Sequence, residues 1–88
     1  MIDFNAIWNR IKAHEGETFS QIRGGEFTYE VSGNMVIPDR TNHSFSRGHF
    51  KEAFSLVPLK STVPIQHLRG PSYIYAILMD NRIRQSDW

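Results

Sequence analysis

Gly24–Arg40, GGEFTYEVSGNMVIPDR, is the most strongly patterned stretch of the chain and predicts a β-hairpin. Phe27, Tyr29 and Val31 alternate with polar residues, which is typical of a strand with one buried face. After the turn, apolar residues continue to Pro38. Because proline has no N–H to donate to a neighbouring strand, we expect the second strand to end there or to lie at a sheet edge.

Two loops could close this hairpin. The two-residue loop Gly33-Asn34 pairs Val31 with Val36, whereas the three-residue loop Ser32–Asn34 pairs it with Met35. The three-residue loop places more apolar side chains on one face of the hairpin. Burial therefore favours that register, because a slip of one residue would turn the apolar set toward water.

A further strand is predicted on the other side of the hairpin. Gly24-Gly25 suits a tight two-residue turn, which would place Ile22 opposite Phe27 and give a strand over about residues 18–23. Phe19 would then point to the opposite face from Ile22. The three strands together predict an antiparallel meander.

The flanking segments predict helices. Apolar residues at helical spacing indicate helices over about Phe4–His14 and Arg47–Leu56, with Asp3 and Ser46 as N-caps. Val63–Leu68 predicts one or two helical turns, and Tyr73–Met79 fits either a helix or a strand. Its length and the preceding Gly-Pro-Ser favour the helix.

We therefore expect an α+β fold: an N-terminal helix, a three-stranded antiparallel β-meander and two to three C-terminal helices packed on one sheet face. The expected core comprises Trp8, Phe27, Tyr29, Val31, Ile37, Phe50, Phe54, Ile74, Ile77 and Leu78.

Composition narrows the functional classes. The chain has 88 residues, which predicts a single domain over residues 1–88. It has no cysteine, no apolar run long enough for a membrane span and no secretory leader pattern, so we expect a cytoplasmic protein without a membrane partner. The net charge is only +1, but it is unevenly distributed: residues 1–30 carry −2 and residues 31–88 carry +3.

The segment Arg40–Arg69 holds five basic residues against Glu52 alone. A donor-rich loop in this segment leads into the helix start after Ser46, and backbone N–H groups at a helix start attract phosphate. The same charges also fit a solvated loop and helix face, with Ser46 acting only as a cap. The candidate nucleic-acid-binding residues are Arg40, Thr41, Asn42, His43, Arg47, His49 and Lys51.

Catalytic and metal motifs are weak. Pro38-Asp39 could open a metal-dependent nuclease motif, but no later acidic residue is followed two positions on by lysine. His43 and His49 are six residues apart, which is not a helical or zinc-finger ligand spacing, although Asp39 could join them. A helix-turn-helix over Val63–Met79 is disfavoured because its second helix lacks a polar face. We expect a non-enzymatic protein without a cofactor.

Several short motifs resemble those of a small bacterial α+β module that occurs alone or attached to restriction-endonuclease-like or His-Asn-His nuclease proteins. The resemblance covers nearly the whole chain, and its motifs are Phe19–Val31, Arg40–Asn42 with Ser46, Phe50–Phe54, and Gly70–Tyr73 followed by Ala76–Leu78. The resemblance implies an accessory role beside DNA-cleaving enzymes, with DNA contact at Arg40, Thr41 and Asn42. It does not imply nuclease activity, because the nuclease motifs are missing from this sequence.

Three functional classes follow. The first is a binding module that contacts nucleic-acid phosphates through the Arg40–Lys51 region. The second is a protein-interaction or homodimerising module that uses a free sheet edge or the polar sheet face. The third is an enzyme or metal protein that uses His43, His49 and Asp39.

Overall fold

Helix α1 (Phe4–Ala13) opens the computed structural model, which describes residues 2–88. The Asp3 side chain accepts a hydrogen bond from the Asn5 N–H at 3.1 Å, as an N-cap should. The apolar stripe of this helix, including Ile7 and Trp8, is buried. The predicted helix, its cap and its buried face are confirmed. All three could be predicted because they depend on the spacing of residues near one another in sequence.

Five short strands follow and form two antiparallel sheets. β1 (Phe19–Ser20) pairs with β2 (Glu26–Phe27) in a two-stranded sheet. β3 (Tyr29–Ser32), β4 (Met35–Pro38) and β5 (Phe45–Ser46) form a three-stranded sheet in sequential order. The α+β class and its three-stranded antiparallel sheet are confirmed, and the strand before Gly24 belongs to the additional sheet.

The pairing of β1 with β2 differs from the predicted one. Phe19, not Ile22, lies opposite Phe27, and residues 21–25 form the connecting loop. Phe19 is thereby buried, with ring centroids 6.1 Å from Phe27 and 5.3 Å from Tyr29. Burying this aromatic cluster outweighs burying one isoleucine, so Ile22 remains 58% exposed.

The hairpin of β3 and β4 closes through the two-residue loop, so the predicted three-residue loop is wrong. Val31 pairs with Val36, and Gly33 has a positive φ of 58°. A two-residue loop with glycine first matches the twist of the flanking strands. The buried face of β4 therefore carries Val36, which also pairs with Phe45 of β5, while Ile37 points outward and is 37% exposed.

Helices occupy most of the second half of the chain. α2 (Arg47–Phe54) is capped by Ser46, as predicted, and a 3₁₀ turn covers Val63–Ile65. α3 (Pro71–Leu78) confirms the helical interpretation of the Tyr73 segment. A fourth short helix, α4 (Asn81–Arg84), was not predicted; Asp80 caps it, and it buries Ile83.

The core includes eight of the ten predicted residues, with Val31 only half-buried and Ile37 exposed. The C-terminal residues dock on the first half of the chain. Arg10 of α1 donates to the Ile83 carbonyl at 2.8 Å and forms an ion pair with Asp87 at 2.7 Å. The Trp88 Nε1 donates to the Leu78 carbonyl at 3.0 Å.

Candidate functional site

The predicted phosphate-binding residues lie at two ends of the three-stranded sheet. β5 returns antiparallel to β4, so the Arg47 N–H donates to the Asn34 carbonyl at 2.7 Å, at the turn end of the hairpin. Arg40 follows Pro38 at the other end. A four-residue strand spans about 13 Å, so the backbone positions of Arg40 and Arg47 are separated by roughly the length of β4.

The group at the turn end is engaged in the fold. The Arg47 guanidinium donates to the Asn5 side chain and lies over the Phe4 ring at 5.0 Å, so it joins α2 to α1. The His49 N–H donates to the Ser46 Oγ at 3.2 Å, and the His49 Nδ1 is buried without a partner. Lys51 is exposed on α2.

The group at the other end lies in an exposed loop. The Arg40 Nη1 donates to the Glu26 carbonyl at 3.4 Å, beside Gly25. The His43 N–H donates to the Thr41 Oγ1 at 3.1 Å, and Asn42 is exposed. This loop, which joins β4 to β5, therefore contacts the β1–β2 connection through Arg40.

A cleft of about 450 Å³ lies next to this loop, and we call it the Arg23 cleft. Its wall is held by a hydrogen bond of 3.0 Å from the Gln21 Nε2 to the Ser72 Oγ, which joins the β1–β2 loop to the start of α3. Its volume is in the range of ligand-binding clefts. The lining residues are Gln21, Ile22, Arg23, Ser61, Thr62 and Ser72.

Four exposed cations lie in or beside the segments that form this surface. Arg23 lines the cleft, Arg40 contacts the same loop at Gly25, and Lys60 and Arg69 closely precede the lining serines in the chain. Within residues 2–88 none of the four forms an ion pair. Arg23 was not among the predicted site residues, because it lies far in sequence from the basic segment, and no local signal could have placed it there.

A second cleft, of about 320 Å³, lies on the other side of Ile22, and we call it the Arg82 cleft. Its mouth is made by β1, the outer face of α3 and the start of α4. Ile22 therefore forms a ridge between the two clefts, since it lines both. The lining residues are Thr18, Ser20, Ile22, Tyr75, Ala76, Met79, Asp80, Asn81 and Arg82.

Arg82 differs from Arg23 because its guanidinium is fully engaged. It forms ion pairs with Asp80 at 2.9 Å and with Glu17 at 3.1 Å, and it donates to the Thr18 carbonyl at 2.7 Å. It also lies 3.9 Å over the Phe19 ring. These contacts hold α4 against β1, so we interpret Arg82 as a structural cation.

The electrostatics of this network follow from its hydrogen bonds. The side-chain hydrogen bond from Arg82 lowers the pKa of Asp80, and that from His14, aided by Arg82, lowers the pKa of Glu17. Hydrogen bonding to Asp80 raises the pKa of Arg82 further above its usual value. Both carboxylates therefore stay ionised well below neutral pH.

Neither a metal cluster nor a membrane-spanning helix is found in residues 2–88. No group of three or more His, Asp or Glu side chains in this range could hold a metal ion, which includes the Asp39, His43 and His49 set. No helix in the same range is long and apolar enough to cross a membrane.

Comparison of the chain with protein-family models, with curated proteins and with solved structures gives no match.

Proposed function

We propose that this chain is a small non-enzymatic module that binds the phosphates of nucleic acid. The observation that supports this proposal is the surface of the Arg23 cleft, where Arg23, Arg40, Lys60 and Arg69 lie in or beside the surrounding segments and form no ion pair within residues 2–88. The carboxylates nearest these cations in sequence are those of Glu26 and Asp39, and the Asp39 carboxylate accepts a hydrogen bond from the Thr28 N–H at 2.9 Å.

Free cations suit phosphate better than cations already paired with carboxylates. A paired guanidinium must break its existing bonds before it can contact a ligand, whereas an exposed, unpaired one only releases water and counterions. The hydroxyls of Ser61, Thr62 and Ser72 add neutral donors beside the cations. Such groups position a nucleic acid without reading its sequence.

The proposed contact surface therefore keeps the loop Arg40–His43 and adds Arg23, Lys60 and Arg69. Arg47 is a weaker candidate because its guanidinium is already bound to α1. His49 has its backbone N–H bonded to Ser46. Lys51 remains free to make a peripheral contact.

The test is a fluorescence-anisotropy titration with labelled duplex and single-stranded DNA, each at low and at moderate salt. We expect affinity to fall as salt rises, and we expect Arg23→Ala and Arg40→Ala each to reduce the slope of log K against log salt by about 1. Lys12→Ala removes one exposed cation from α1, which does not line the cleft, and serves as the charge-matched control. Equal losses in all three variants, or no binding at low salt, would contradict the proposal.

A second candidate function is supported by the exposed apolar residues beside the same cleft. Ile22 is 58% exposed and Val63, which follows Thr62, is 68% exposed. Protein–protein interfaces are enriched in arginine and have an apolar centre. This alternative, a protein-interaction or homodimerising module, predicts association that changes little with salt. Sedimentation of the protein at high concentration, with Ile22→Ser for comparison, would detect a homodimer.

A further inference from the structure

Tyr75 is an unusual aromatic residue in this protein. The chain has eleven aromatic side chains, and ten of them pack against another ring within residues 2–88. Tyr75 is the exception: it is half-buried on the outer face of α3 and lines the Arg82 cleft. No hydrogen bond to its hydroxyl occurs in the same range. The fold therefore gives its ring no aromatic or polar partner.

The surroundings of Tyr75 favour a flat, uncharged ligand. Ile22 and Met79 line the same cleft and supply apolar contacts, while Thr18 and Ser20 supply hydroxyls. The one cation there, Arg82, is neutralised by Asp80 and Glu17. A phosphate would gain little at this place, since the two carboxylates already occupy the guanidinium and repel another anion.

On the other side of the Ile22 ridge, the Arg23 cleft is positively charged. Arg23, which forms no ion pair within residues 2–88, lines the Arg23 cleft, and the rim of this cleft is within one side chain of the Arg82 cleft because Ile22 lines both. An aromatic cleft without a free cation beside a basic one matches a nucleic acid whose base and phosphate are separately accessible. A duplex cannot satisfy both, since its bases are stacked in the interior.

We infer that the preferred ligand is single-stranded nucleic acid, with an unstacked base against Tyr75 and Ile22 and the adjoining phosphates at Arg23 and Arg40. This inference rests on the proposed function and adds the ligand class. Proteins that bind single strands combine a basic groove with an aromatic side chain on which a base stacks. The cation supplies affinity for any phosphate chain, and the ring supplies the preference for an exposed base.

The experiment compares two labelled single strands of equal length, an oligodeoxyadenylate and an abasic strand with the same number of phosphates. We expect the wild-type protein to bind the oligodeoxyadenylate about tenfold more tightly, as is typical of one base–aromatic stack. Tyr75→Leu, which keeps an apolar side chain without the ring, should remove this difference and leave the abasic affinity unchanged.

Two further variants keep the test decisive if Tyr75→Leu folds poorly. Ile22→Ser should reduce the same difference, and circular dichroism checks its fold, which an exposed position should not disturb. Leu56→Ser is the matched control, since Leu56 is also an exposed aliphatic residue, at 43%, but lines neither cleft. It should behave like the wild type.

The outcomes separate this inference from the proposed function. Equal wild-type affinity for the two strands, or an unchanged difference in both Tyr75→Leu and Ile22→Ser, would overturn the role of Tyr75 while salt-dependent phosphate binding stands. Absence of binding to every strand at low salt would overturn both, and would favour a protein partner for these clefts.

Discussion

The Arg23 cleft and the Arg82 cleft share the Ile22 ridge and the wall of α3, but their arginines do different things. Arg82 satisfies two carboxylates, a carbonyl and an aromatic face, and thereby holds α4 against the two-stranded sheet. Arg23 forms no ion pair with any group in residues 2–88 and remains exposed. The first arginine is part of the fold, whereas the second is available to a ligand.

Charge count alone therefore does not identify a binding surface. Both arginines count equally toward the net charge, and both lie beside a cleft of ligand size. What separates them is the distance to a carboxylate, which is a tertiary property. Four substitutions, with expected effects on stability from the largest to the smallest, would test this distinction.

The largest effect should come from Gly70→Ala, which disturbs the wall common to both clefts. Gly70 precedes α3 with a φ of 66°, and a Cβ at this position would lie 2.3 Å from the Phe45 Cζ. The left-handed backbone and the overlap with a buried ring together predict a loss of about 3 kcal/mol. Urea denaturation measures it. Gly24→Ala is the control. Gly24 also has a positive φ, but a Cβ at this position would have no atom within 4 Å, so this variant should lose only about 1 kcal/mol.

Arg82→Ala should destabilise the region around the Arg82 cleft and leave the Arg23 cleft intact. It removes two ion pairs and leaves the Thr18 carbonyl without its donor, so we expect a loss of about 1–2 kcal/mol, moderated by solvent screening of a partly exposed guanidinium. Arg82→Lys should recover part of this loss, since lysine keeps the charge but not the forked donors. Thermal unfolding of the three proteins provides the comparison. Full stability in Arg82→Ala would show that this arginine is not structural.

The unfolding free energy at acidic pH should depend on the ion pair between Arg82 and Asp80. Because the folded-state pKa of Asp80 lies below its unfolded value, this carboxylate stabilises the fold above about pH 4, and the contribution is lost as pH falls through the folded-state pKa. Asp80→Asn keeps an N-cap side chain but removes the charge. Its unfolding free energy should therefore fall less steeply than that of the wild type between about pH 5 and pH 3. The same pH dependence of the unfolding free energy in Asp80→Asn and the wild type would contradict this role of the Asp80 carboxylate.

The smallest effect on stability should come from Arg23→Ala, which we expect to change the unfolding free energy by no more than about 0.5 kcal/mol. Its side chain is exposed and forms no ion pair in the described chain. The same urea titration used for Gly70→Ala measures it. A loss as large as that of Arg82→Ala would mean that Arg23 also serves the fold, and the contrast between the two clefts would disappear.

Local patterns predicted the helices well and the strand pairings poorly. The stripe in α1 and the caps Asp3 and Ser46 depend on neighbours within one turn, so the sequence specifies them directly. The two-stranded sheet and the hairpin each adopted a different register from the predicted one. A register depends on what covers each face, and β5 and the Phe19 cluster come from segments that a local pattern does not bring together.

The candidate site was predictable only in part. The basic character of Arg40–Arg69 is visible in the sequence, and Arg40 does lie at the proposed surface. Arg47 was expected beside it, but the antiparallel return of β5 places it at the other end of β4, against α1.

The α+β class, the three main helices, the caps Asp3 and Ser46 and most of the core could be predicted from the sequence, because these depend on residues a few positions apart. Strand pairing, the arginine that meets a carboxylate and the aromatic ring left without an aromatic partner were set by tertiary packing. These outcomes depend on residues as far apart as Glu17 and Arg82, which become neighbours only when the sheet and helices pack. The fold class is thus a local property of this chain, and its candidate binding surface is a property of the packed molecule.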